Sequence, residues 1–280
     1  MRILAIALLA LNFTNADYLF SQKADYQACC DELQKMMPAA SDNKDKAEVC
    51  WRLARVYLML GDAAADKETK RSIYSKGIAY ADQGIAANPS NEKCYMWRSA
   101  NRGRDCQTRP LPQQAAASVQ ILSDLERILD QLGHKNYSEA WEALSQVYMA
   151  HPLKSDDAGI SYAYMAALNI PKDELRISTL CYLASLLYDR DSDAANREKK
   201  ANDNRSKFSS STKQNTAKYA YFEGTSSVPW LASPSVQVSD RDEAIAILRY
   251  AEAKYNACTD KTPVDKQDYT ELLKLKNKWN

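Results

Sequence analysis

The sequence contains little glycine and little histidine, and this scarcity argues against several kinds of catalytic and nucleotide-binding site. Only 7 glycines and 2 histidines occur among 280 residues. Neither a Gly-x-x-x-x-Gly-Lys loop nor a Gly-x-Gly-x-x-Gly turn is present, so the usual phosphate cradles are missing. His134 and His151 lie beside helix-ending turns, where surface or capping roles are commoner than catalysis. We therefore expect no catalytic residues and no cofactor.

Long apolar runs and a strong charge imbalance are also absent. No stretch approaches the roughly 20 uninterrupted apolar residues of a transmembrane helix, so no membrane span is predicted. The chain carries 37 basic and 36 acidic residues. Such a balance does not produce the field that steers nucleic acid or anionic lipid to a protein. We accordingly expect no nucleic-acid partner.

The seven cysteines do not form a metal-binding pattern. No Cys-x-x-Cys pair occurs, and with two histidines a zinc site would lack the usual ligand spacing, so no metal site is predicted. Several cysteines, such as Cys181, lie in apolar helical runs, where a small buried hydrophobic role is commoner. Disulfide pairing of some of them in an oxidising compartment remains open.

The first residues predict export from the cell. Met1 and Arg2 precede a short apolar run that ends at Phe13, and small or polar residues up to Ala16 follow. This order of charged start, apolar middle and small residue is typical of a secretory signal peptide. We predict a signal peptide over residues 1–16 and an exported protein, periplasmic or secreted. A buried amphipathic first helix is the alternative.

Most of the chain shows the periodicity of amphipathic helices. Apolar residues recur every three to four positions from Ala47 to Gly61, and good helix formers dominate long windows. Asn88-Pro89 and Ile170-Pro171 each end such a pattern just before another begins. The sequence therefore predicts an all-α stack of helical hairpins, an architecture that usually binds other proteins. The predicted helices are 19–37, 47–61, 67–87, 91–103, 113–132, 137–150, 156–169, 172–189, 240–257 and 263–279.

The character of the sequence changes after Asp189. About fifty residues rich in Ser, Asp, Asn, Lys and Thr show no sustained helical stripe, and a final helical pair follows. We predict helical repeats over 17–190, a long irregular arm over 191–239, and a C-terminal hairpin over 240–280 that packs on the stack.

An aromatic island within this arm is too apolar for an ordinary solvated loop. We expect it to dock on the protein's own surface. Contact with a partner protein or with a second copy of the chain is the alternative. The residues expected to make arm contacts are Tyr219, Tyr221, Phe222 and Trp230.

The hairpins resemble tetratricopeptide repeats over about residues 44–189. The unit here is longer than the family's roughly 34 residues, so the repeats are degenerate, and HEAT-like repeats are the fold alternative. The resemblance implies a right-handed α-solenoid and an exported member of the bacterial type. It rests on Trp51, Ala54, Leu58, Gly77, Ala81, Gly84 and Pro89 in one hairpin, and on Trp141, Leu144, Ser145, Tyr148, Gly159, Ala163, Ala166 and Pro171 in another.

In that family the first helix of each pair lines a concave groove, and the resemblance implies such a groove here. Arginines beside aromatic rings suit a peptide or an acidic segment, because guanidinium groups both hydrogen-bond carboxylates and stack on rings. A solvated helix face with internal ion pairs is the alternative. The predicted protein-binding residues are Arg52, Arg55, Met96, Arg98, Arg102, Glu142, Gln146 and Tyr182.

The expected function is that of a non-enzymatic exported scaffold in the cell envelope, which binds a protein or peptide through the concave groove. An envelope or transporter component is the expected partner, and the arm is a candidate contact for a homo-oligomer. The alternative is a transporter-associated accessory protein that binds a small hydrophobic ligand between repeats. An enzyme is a third hypothesis, because residues far apart in sequence can meet in a fold.

Overall fold

The structure, a computed structural model, describes residues 11–150, 155–232 and 237–279. Helix accounts for 76% of it, and no strand occurs in these three ranges. The predicted all-α class is therefore confirmed. Thirteen α-helices are present in the described residues, and they pack against neighbouring helices. The arrangement as a right-handed solenoid stays a prediction.

The chain divides into two compact units, Met1–Asp124 and Leu125–Asn280. In the first unit, α3 packs against α2, α4 and α5, and α1 packs against α2. The helices of this unit are α1 (Thr14–Ser21), α2 (Tyr26–Met36), α3 (Asn43–Ala63), α4 (Lys67–Ala87), α5 (Glu92–Gln107) and most of α6 (Leu111–Glu126).

The helix predicted over 19–37 is in fact two helices. Ala24 has a positive φ of 51°, a backbone conformation that interrupts a right-handed helix. Asp25 then caps α2, because its side chain accepts a hydrogen bond from the Ala28 amide at 3.0 Å. The predicted signal peptide would end inside α1, where Ala16 is 1% exposed, and residues 1–10 of that segment lie outside the described residues.

Small residues bring α4 close to its neighbours, as the sequence predicts. A side chain at Gly77 would overlap Asn101 of α5, and one at Gly84 would overlap Cys94 of α5. Gly61 does not end α3 as expected, since the helix continues to Ala63. The absence of a side chain at Gly61 instead lets the ring of Tyr74 pack against the backbone, because a β-carbon at this position would overlap the ring.

The second unit is centred on α9, which packs against α8, α12 and α13. Helix α7 packs against α8. After α6 the chain continues as a π-helical segment, Arg127–Gln131. The remaining helices are α7 (Ser138–Met149), α8 (Asp156–Leu168), α9 (Ile177–Arg190), α10 (Ala194–Ser210), α11 (Asn215–Tyr219), α12 (Asp240–Ala257) and α13 (Pro263–Trp279).

The prediction of an irregular arm over 191–239 is wrong for its first part, because α10 is a helix of 17 residues. Arg197, Ala201 and Asn204 are buried at helical spacing, so the buried stripe exists but is mostly polar. Asp193 caps the helix by accepting a hydrogen bond from the Asn196 amide at 2.8 Å. A pattern search based on apolar residues misses such a stripe.

All seven cysteines are free, and five are buried. Burial raises the pKa of the Cys50 thiol to about 11 and that of Cys94 and Cys181 to about 12. These thiols therefore remain protonated at neutral pH and act as small hydrophobic groups. Among the described residues, no helix combines the length and the apolar character needed to cross a membrane.

Candidate interaction site

Two of the predicted groove arginines already hold a carboxylate of the same chain. Asp17 of α1 accepts a hydrogen bond from Arg52 at 3.0 Å and another from Arg55 at 3.0 Å. The guanidinium of Arg52 stacks on Phe13, and that of Arg55 stacks on Phe20, at 3.9 and 3.7 Å from the ring centroids. The expected chemistry is present, but α1 supplies the acidic group.

The ionisation of Asp17 reflects this pairing. Burial opposes the charged form, yet the hydrogen bonds and positive charges of Arg52 and Arg55 outweigh it, and the pKa of Asp17 lies below its usual value of 3.8. The carboxylate is therefore ionised at neutral pH and neutralises both arginines in part.

Arg98 and Arg102 are paired in the same manner with Asp124. Arg98 donates to both oxygens of Asp124, at 3.0 and 2.5 Å, and Arg102 donates at 2.9 Å. Arg98 also donates to Asp82 at 2.7 Å. Met96, predicted to line the groove with them, is buried at 6% exposure. These side chains tie helices of the first unit together.

The predicted binding residues of the second unit also contact their own neighbours. Glu142 accepts a hydrogen bond from Thr179 at 2.5 Å and another from Gln146 at 3.3 Å. The hydroxyl of Tyr182 lies 3.2 Å from that of Ser145. The structure brings Glu142 and Gln146 together in this way, while Tyr182 belongs to a separate contact.

The aromatic island of the arm contacts the second unit itself. Tyr219 lies against Trp141 and against Phe208 of α10, with ring centroids 5.3 Å apart in each case. Phe222 lies 6.0 Å from Phe208, and Lys207 lies over the ring of Tyr221. These aromatic side chains of the island therefore pack on α10 and α7 of the same unit.

Trp230, the last aromatic of the arm, joins a buried ionic cluster that the sequence did not reveal. Its indole donates to Glu243 at 2.8 Å, and Arg197 forms an ion pair with the same carboxylate. The Nε atom of Arg197 lies 3.0 Å from Asp240 without hydrogen-bond geometry. Arg190 adds hydrogen bonds to Asp240 at 2.7 Å and to Glu223 at 2.8 Å.

This cluster fixes the arm against helices α9, α10 and α12. Asp240 and Glu243 are fully buried, and Arg197 is 2% exposed. The hydrogen-bonded ion pairs of the cluster join residues that are 33 to 50 positions apart, so no local pattern in the sequence reveals them. Because the cluster is buried, it is not accessible to ligands, and its role is to stabilise the fold.

The first unit has a polar pocket on its surface. It has a volume of about 470 Å³ and lies at the end of α3, the start of α4 and the end of α5. Its size falls in the ordinary range of ligand pockets. The lining residues are Asp62, Ala65, Lys67, Lys70, Tyr74, Arg104, Gln107 and Thr108.

Asp62, the carboxylate that lines this pocket, already interacts with two side chains of the pocket. Asp62 lies 3.2 Å from the Nε atom of Arg104 and accepts a hydrogen bond of 2.7 Å from the Tyr74 hydroxyl. Burial and this hydrogen bond raise the pKa of Tyr74, so its hydroxyl stays a donor. Nearby Asp66 is committed as the cap of α4, where it accepts from the amides of Glu68 and Thr69.

Lys67 and Lys70 contribute two positive charges to the pocket. In the part of the chain that the structure describes, neither ammonium group forms an ion pair, whereas three cations and one carboxylate line the pocket. The pocket is therefore positively charged. The predicted protein-binding residues include neither lysine.

Comparison with known protein families gives a match to part of the chain. Residues 12–127 match the family described as Regulator of microtubule dynamics protein 1-3. The match covers less than half of the chain and includes every residue of the positively charged pocket. A search of curated proteins finds no match.

Two predictions are overturned by this result. The identification as a tetratricopeptide-repeat protein is wrong, since the matching family is that of a regulator of microtubule dynamics. The exported, periplasmic localisation is wrong as well, because the matching family is eukaryotic. The match also begins inside the segment predicted as a signal peptide. Asp17, the first residue after that segment, pairs with Arg52 and Arg55.

Proposed function

We propose that the chain is a non-enzymatic helical protein that binds microtubules and changes their growth and shortening. The match of residues 12–127 to a regulator of microtubule dynamics carries this proposal. The matched residues contain α1 to α6, in which Asp17 links α1 to α3 and Asp124 links α6 to α5. A rigid helical platform of this kind suits binding to another protein.

The stacking of successive helices supports the same proposal. In the first unit α2 contacts α3, α3 contacts α4, and α4 contacts α5, so helices adjacent in sequence are adjacent in space. We propose that the helices of each unit form successive hairpins of a solenoid. The small-ligand alternative gains no support, since the pocket of the first unit is lined by charged and polar groups that fit an apolar molecule poorly.

Co-sedimentation tests the proposal. The full chain is incubated with stabilised microtubules and with unpolymerised tubulin, and the pellets are compared. We expect the chain to pellet with microtubules in a saturable manner and to remain in the supernatant without them. A chain that stays in the supernatant at all microtubule concentrations would contradict the proposal.

A further inference from the structure

We infer that the pocket at Lys67, Lys70 and Arg104 is a binding site for a carboxylate-rich peptide segment of a partner protein. The inference deepens the proposed function and rests on it only for the identity of the partner. The binding chemistry rests on the pocket itself, whose lining carries two ammonium groups without ion pairs.

The charged groups of the pocket are available to an incoming anion. Lys67 is exposed, and the Arg104 side chain is 46% exposed. The two acidic residues at its margin are engaged, Asp62 with Arg104 and Tyr74, and Asp66 with the start of α4. An incoming carboxylate would therefore meet cations whose charge is only partly balanced.

The other lining groups suit a peptide. The amide of Gln107 offers both a donor and an acceptor to the main chain of a bound segment. The hydroxyl of Thr108 is already engaged, because it donates to the Asp105 carbonyl at 2.7 Å. The position of Thr108 is fixed, because Arg71 of α4 donates to its hydroxyl at 2.8 Å. The pocket wall is thus held in place before a ligand arrives.

A peptide fits this lining better than a nucleic acid does. Single-stranded nucleic acids are usually held by aromatic rings on which bases stack. The single aromatic residue of the pocket, Tyr74, is 2% exposed, and its ring packs against Gly61. No stacking platform is therefore offered to a base.

Fluorescence anisotropy with the full chain tests this site. The probe is a fluorescein-labelled oligoglutamate peptide, and an oligoglutamine peptide of equal length is the uncharged control. We expect the double substitution Lys67→Glu and Lys70→Glu to weaken oligoglutamate binding by about tenfold or more, because an attractive contact becomes repulsive. The milder pair Lys67→Gln and Lys70→Gln should weaken it less.

The matched control is Lys44→Glu with Lys46→Glu. Lys44 and Lys46 are exposed and, like Lys67 and Lys70, lie in the first turn of a helix of the first unit, and the charge change is identical. Circular dichroism establishes that all variants keep their helices. Equal weakening by the two glutamate pairs would overturn the inference, and so would tighter binding of an oligouridylate than of oligoglutamate.

The two proposals fail in different ways. Oligoglutamate binding at the pocket without microtubule co-sedimentation would remove the microtubule function and leave the peptide site. Microtubule co-sedimentation with no oligoglutamate binding would remove the peptide site and leave the function.

Discussion

At the scale of the residue, Asp17 shows how one carboxylate decides the role of two arginines. Arg52 and Arg55 have the aromatic neighbours expected of a binding surface, but both donate to Asp17. The role of these arginines in binding a partner protein stays a prediction. The sequence could not indicate that an acidic group 35 and 38 residues earlier in the same chain pairs with them.

Replacement of Asp17 by Asn should destabilise the protein. The side chain of Asp17 is 40% exposed, so solvent screens part of the interaction, and we expect a loss of about 1–2 kcal/mol, between the values of exposed and buried pairs. Urea unfolding followed by circular dichroism measures the difference. Asp31→Asn is the control, because Asp31 is exposed and only accepts from Gln27 in its own helix.

The stability of the wild-type protein and that of Asp17→Asn should depend differently on pH. Since the folded pKa of Asp17 is lowered below 3.8, its stabilisation is complete above that pH and disappears as the pH falls through the folded pKa. The wild-type protein and Asp17→Asn should therefore converge in stability in strong acid. A difference that persists unchanged there would contradict the assignment.

At the scale of the element, α10 and α4 show when a helix can be predicted. The bounds predicted for α4 agree with the structure, because its signals are local: Asp66 caps its start and Asn88-Pro89 follows its end. The buried face of α10 carries Arg197 and Asn204, whose partners lie in other segments. Apolar periodicity cannot detect a helix that is held by such polar contacts.

The break between α1 and α2 has a related cause. Neither glycine nor proline marks it, and the positive φ belongs to Ala24. The backbone turns there although the local sequence favours a continuous helix. Tertiary packing of Ala16 and Cys29, both buried in the same core cluster, accounts for the turn.

Replacement of Arg197 by Met should release α10 and the arm. The substitution leaves Asp240 and Glu243 buried with one fewer cation, and breaking a buried ion pair costs about 3–5 kcal/mol. Hydrogen–deuterium exchange should show faster exchange across α10, and urea unfolding should show the loss of stability. Lys199→Met, on the exposed face of the same helix, should change neither measurement appreciably. Unchanged exchange in Arg197→Met would show that the cluster does not hold α10.

At the scale of the whole molecule, the sequence predicted the fold class but not the candidate site. The periodicity that predicts a helix involves residues close together in the sequence. The pocket instead combines residues from the end of α3, the start of α4 and the end of α5. Asp62 and Arg104 are 42 positions apart in the numbering and meet only in the fold. Of the predicted binding residues, Arg52 and Arg98 form ion pairs with carboxylates of the same chain. Only the structure shows that Lys67 and Lys70 line a pocket.

The most direct test of the proposed function is the growth and shortening of single microtubules, observed by light microscopy in the presence of the full chain. We predict that the wild-type protein changes these rates, that Lys44→Glu with Lys46→Glu keeps the effect, and that Lys67→Glu with Lys70→Glu loses it. Rates that do not respond to the wild-type protein would contradict the proposed function, whereas rates that respond equally to both variants would contradict only the peptide site.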